Sequence, residues 1–104
     1  MMPQENTPAV TWSQAQGLVG PIPGITVSIP ARLVVGWKTL RPWETTGMTE
    51  IGRRVIAVLD LVPGINGMDV HRYDLYVAVA DGWTPEAVGN EIVEAIRPLV
   101  EESP

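Results

Sequence analysis

A chain of 104 residues with 45% apolar and 18% charged side chains suits one domain, is too short for two, and lies outside the range of disordered chains. It has no cysteine, which excludes disulfides, thiolate metal sites and cysteine nucleophiles. A net charge of −5 disfavours sequence-wide attraction to nucleic acid, although a local basic patch could still touch phosphates.

Residues 1–23 carry Pro3, Pro8, Pro21 and Pro23 with Gly17 and Gly20, a mixture that sustains neither a long helix nor a central strand. The expectation is an extended arm with a short strand near Ala9 to Trp12. It would be held by its own domain or by a neighbouring subunit. A single α+β domain is expected over residues 24–104. Its first strand starts at Gly24, where Ile25, Val27 and Ile29 alternate with Thr26 and Ser28. Leu33 to Leu40 reads as a second strand, with Leu33, Val35 and Trp37 on one face and Trp37 in the core. Met48, Ile51, Val55, Val58, Leu59 and Val62 form a helix stripe, capped by Thr46 or Thr49 and stopped at Val62-Pro63-Gly64. Asn66-Gly67 reads as a turn, and Val70 to Ala80 as a third strand with Tyr73, Leu75, Val77 and Val79 on its apolar face. Thr84-Pro85-Glu86 opens a second helix, whose stripe is Val88, Ile92, Val93, Ile96, Leu99 and Val100. The order strand, strand, helix, strand, helix implies a small, mostly antiparallel sheet with both helices on one face.

Charge is distributed unevenly. Residues 32 to 54 hold five of the seven basic side chains, and residues 55 to 104 hold nine of the twelve acids. Opposite charges on different segments can draw copies of a small protein together head to tail. Arg32, Lys38, Arg41, Arg53 and Arg54 would form one side of such a contact, and Glu91, Glu94, Glu101 and Glu102 the other. Trp12, Trp43 and Trp83 fall in arm or loop positions, where tryptophan serves as an interface anchor or as packing for its own loop.

Catalytic chemistry has little to build on. His71 stands two residues from Asp69, and two ligands do not make a metal site. None of Ser13, Ser28 and Ser103 sits in a nucleophile elbow. The glycines at 17, 20 and 24 lack the ending of a phosphate loop. No enzymatic activity, cofactor or metal is expected.

The stretch His71-Arg72-Tyr73-Asp74-Leu75-Tyr76-Val77-Ala78-Val79-Ala80, followed by an amphipathic helix from Thr84 to Glu102, resembles the core of tail-terminator and head-to-tail joining proteins of long-tailed bacteriophages. Members of that group are small α+β subunits without enzymatic activity that form rings at the end of a tail tube. They tend to open with a helix, whereas this chain opens with a proline-rich arm, and no functional residue is carried over. The resemblance implies a homo-oligomeric ring or stack in a virion or host cytoplasm. Its partners would be copies of itself and other structural proteins; nucleic acid, membranes and small-molecule substrates are not expected. The alternative reading is a ferredoxin-like ligand-binding or regulatory domain, with its ligand on the open sheet face near Arg72, Asp74 and Tyr76.

Overall fold

Alternation of apolar and polar residues builds one antiparallel sheet of four strands: β1 (Thr11–Ala15), β2 (Gly24–Ser28), β3 (Ile65–Val70) and β4 (Asp74–Val79). The computed structural model describes residues 9–15 and 23–101. The strand order is β1-β2-β4-β3, so β4 is inserted between β2 and β3. Ile25 lies opposite Val77 and Val27 opposite Leu75, which places these four on one face, where all are buried. Thr26, Tyr76 and Ala78 turn the other way and stay half-buried. The two helices, α1 (Glu50–Leu59) and α2 (Pro85–Glu101), lie on the apolar face, α2 against β1, β2 and α1. The fold is therefore the expected α+β arrangement of a sheet with two helices on one side. Among the described residues, no helix is long and apolar enough to cross a membrane.

Both helices begin where the hydroxyl caps predict. Thr49 Oγ1 accepts the Gly52 amide at 3.0 Å, and Thr84 Oγ1 accepts the Ala87 amide at 3.1 Å; each cap contributes about 1 kcal/mol. Val55 and Leu59 of α1 meet Val88, Ile92, Val93 and Ile96 of α2 in a core that also holds Leu75 and Val77. Truncating a side chain such as Leu75 to alanine there costs about 2–5 kcal/mol. α1 ends at Leu59, three residues before Val62, and Gly64 turns the chain with φ of +91°, a value that suits glycine.

Four expectations need correction. The chain has two strands between its helices, giving strand, strand, helix, strand, strand, helix. Val70 to Ala80 is not one strand: the His71 amide bonds the Asp74 carbonyl at 2.9 Å, and this turn separates β3 from β4. Tyr73 therefore sits in the turn, 52% exposed, and not on the apolar face. Asn66-Gly67 lies within β3, where a register shift between Ile65 and Gly67 absorbs the extra residue as a bulge.

The fourth correction concerns Leu33 to Leu40, which forms a loop holding two isolated bridges, Val34 to Met48 and Leu40 to Val70. The Arg32 side chain takes the carbonyls of Val34, Val35 and Gly36, and the Leu33 amide bonds the Arg72 carbonyl. With its polar groups satisfied this way the segment needs no strand partner. Trp37, expected in the core, is 81% exposed.

Of the arm read over residues 1–23, most lies outside the described residues. Its described part contains β1, which extends to Ala15 and pairs with β2. Trp12 packs on Gly89 of α2, and its Nε1 donates to Asn90 Oδ1 at 3.0 Å. The described stretch is thus fastened to its own domain.

Candidate functional site

The loop from Arg32 to Thr49 carries the two most exposed tryptophans, Trp37 and Trp43, together with the exposed bases Arg32, Lys38 and Arg41. Its ends are fixed: Arg32 Nε donates to Val34 O at 2.8 Å, Thr49 Oγ1 donates to Arg32 O at 2.6 Å, and Leu40 and Val70 exchange two backbone bonds of 2.9 and 2.8 Å. Gly52 of α1 approaches so closely that a Cβ there would collide with the Leu33 carbonyl. Between these anchors the chain carries Trp37 and Trp43 outward, 81% and 75% exposed.

Trp37 stands against the turn between β3 and β4. The Arg72 guanidinium lies over its ring at 3.8 Å from the centroid, a cation–π contact. Trp37, Lys38, Thr39, His71, Arg72, Tyr73 and Asp74 surround an open cleft of about 270 Å³. Thr39 Oγ1 and His71 Nδ1 share a hydrogen bond of 3.2 Å across it. Only one acid, Asp74, joins His71 in the cleft, because Asp69 pairs with Arg41 at 2.7 Å. Among the described residues, no three histidine, aspartate or glutamate side chains come together to hold a metal ion.

Trp43 stands against a helix. Together with Pro42, Thr45, Arg53, Ile56, Ala57 and Asp60 it lines a shallow groove of about 420 Å³ along α1. Arg53 Nη1 donates to Met48 O at 2.8 Å, while Arg54 is exposed on the same helix. The groove is more apolar than the cleft at Trp37.

The residues singled out by charge and aromaticity fall into two groups. Arg32, Arg41 and Arg53 spend donors inside the fold, on loop carbonyls, Asp69 and Met48. Lys38 and Arg54 have no ion pair among the described residues. Trp12 is engaged with α2, and Trp83, 41% exposed, covers Gly64, which Val88 of α2 also approaches. Glu91 and Glu94 lie on the exposed face of α2, where Glu94 pairs with Arg97 at 3.0 Å. α2 ends at Glu101, and Glu102 lies outside the described residues.

Sequence reasoning missed the joining of Trp37 to Arg72, which are 35 positions apart. One signal was present. Gly36 interrupts the alternation just before Trp37, and glycine inside a strand pattern marks a break in it. Of the three residues expected around a sheet-face ligand, Arg72 and Asp74 line the cleft, whereas Tyr76 lies on the open face across Gly24. No protein-family model, characterised protein or solved structure matches the chain.

Proposed function

We propose that this protein is a non-enzymatic assembly subunit that associates with copies of itself into a ring or stack, as the tail-terminator and joining proteins it resembles do. The observation that carries this reading is Trp43, three quarters exposed on an anchored loop beside Ile56 and Ala57. A tryptophan held outward by a fixed backbone loses little entropy on docking, and such residues dominate interface energetics.

The occupant of the groove is the outer face of α2 from a second copy. That face carries Glu86, Glu91 and Glu94 with one base, Arg97, so its net sign is opposite to that of the groove, where Arg53 and Arg54 outnumber Asp60. Because the two surfaces lie on different helices, the contact joins unlike patches, and a rotation that closes gives a ring.

Sedimentation velocity across a range of protein concentrations, at low and moderate salt, tests the proposal. An oligomer that grows with concentration and dissociates as salt screens the charges is expected. Monomer alone at the highest concentration and lowest salt removes self-assembly as the function.

A further inference from the structure

We propose that the cleft between the Trp37-Lys38-Thr39 loop and the His71 to Asp74 turn binds a nucleoside phosphate, with the base on the open face of Trp37 and the phosphate on Arg72 and Lys38. The site is separate from the Trp43 groove and does not depend on self-association.

Three features of the lining carry the inference. The first is the stacked pair. Arg72 covers one face of an indole that is 81% exposed, which leaves the other face open to a flat ring. Bases stack on aromatic side chains whatever their identity, because every base has a π-face.

The second is the state of the Arg72 donors. Among the described residues no carbonyl or carboxylate accepts from its guanidinium, and Lys38 also has no ion pair. Guanidinium N–H groups lie in the plane of the group, so stacking on Trp37 fixes the plane without using the donors. A planar fork held in this way matches the oxygens of a phosphate. Arg32 stiffens the arrangement by bonding the Val34, Val35 and Gly36 carbonyls just before Trp37.

The third is Asp74, a carboxylate in an otherwise cationic cleft, with no ion pair among the described residues. A nucleoside offers sugar hydroxyls and exocyclic amines that donate to it, whereas ionised acidic side chains offer no donor. The stacking face, the paired cations and the single acceptor together match base, phosphate and sugar. The chain's overall charge of −5 bears on long-range attraction and does not reach the chemistry of one cleft.

The phosphate could belong to a free mononucleotide or to one residue of a single strand, and calorimetric titration of the full chain separates them. The probes are adenosine 5′-monophosphate, a short oligoriboadenylate, and adenosine and inorganic phosphate as fragments. The expected result is that the mononucleotide or the oligonucleotide binds more tightly than either fragment. Trp37→Ala and Arg72→Ala should each weaken binding by at least about fivefold, the lower end of base-stacking effects. Lys38→Ala, at an exposed position, repeats the phosphate test should Arg72→Ala fail to fold. Trp43→Ala should leave binding unchanged. Binding of the oligonucleotide alone assigns the site to a single strand; equal binding of the mononucleotide assigns it to free nucleotide. The proposal is overturned by no binding of either below about 5 mM. It is equally overturned by binding that neither Trp37→Ala nor Arg72→Ala alters, or by a polyglutamate peptide that competes as strongly as the mononucleotide.

Discussion

Trp37 and Trp43 stand six residues apart on one loop, each more than 70% exposed, yet they present different chemistry. Trp37 leans on the turn between β3 and β4, where Arg72 covers a face and Lys38, His71 and Asp74 supply polar groups. Trp43 leans on α1, where Pro42, Ile56 and Ala57 supply apolar area. Their immediate neighbours Lys38 and Pro42 supply only part of the contrast. The other contacts come from residues 13 to 37 positions away. An exposed aromatic therefore takes its partner chemistry from the element beneath its loop.

The largest effect should come from breaking what the two regions share. Gly52 lies on the inner side of α1 under the Leu33 carbonyl, and both loop ends depend on that approach. Gly52→Ala forces a carbon into backbone, which side-chain rotation cannot relieve. Urea denaturation should show a loss of about 2–3 kcal/mol, typical of overpacking, with both tryptophan surfaces impaired together. A variant as stable as the parent would mean that the helix and loop can separate without harm.

Next in size, Trp43→Ala should weaken self-association by about 30-fold, the equivalent of a 2 kcal/mol hot spot. The fold should change by less than about 0.5 kcal/mol, because a side chain this exposed contributes little to the core. Loss of stability without loss of association would reverse the assignment and make Trp43 a packing residue. Smaller still, Arg32→Met removes the bonds to three loop carbonyls and should cost about 1–2 kcal/mol. Its effect on function should be one-sided. Ligand binding at the Trp37 cleft should fall while association through Trp43 persists, and equal damage to both would show that the loop moves as one body.

The same contrast marks what could be read from the amino-acid sequence. Helix caps at Thr49 and Thr84 and the stripes of α1 and α2 were legible, because those signals are local and periodic. β2 and the apolar face of β4 were legible for the same reason. Leu33 to Leu40 misled, since its alternation matches a strand while the Arg32 side chain, not a neighbouring strand, satisfies the carbonyls of Val34, Val35 and Gly36 in its middle. β3 was hidden by Asn66-Gly67, a turn signal that here sits in a bulge. The site was legible in pieces only: Trp43 was singled out from its loop position, whereas the stacking of Trp37 with Arg72 depends on a loop and a turn meeting in space.

The smallest predicted effect separates two ways of fastening the stretch between the tryptophans. Leu40 holds Val70 through two backbone bonds, and next to it Arg41 reaches Asp69 at 2.7 Å. The ion pair is the shorter contact, but its side chains are 61% and 35% exposed, so water and salt screen it. Exposed pairs of this kind contribute about 0.2–1 kcal/mol. Asp69→Asn should therefore lower stability by less than about 1 kcal/mol at low salt, with the difference shrinking as salt is added. The Arg41 amide keeps its bond to Glu44 Oε1 at 2.7 Å, so the turn leading to Trp43 has a second hold. Neither ligand binding nor association should change appreciably if the Leu40 to Val70 backbone pair sets the spacing. A salt-independent loss above 1 kcal/mol, or a shift at both tryptophan surfaces, would instead make the ion pair the element that keeps the two sites apart.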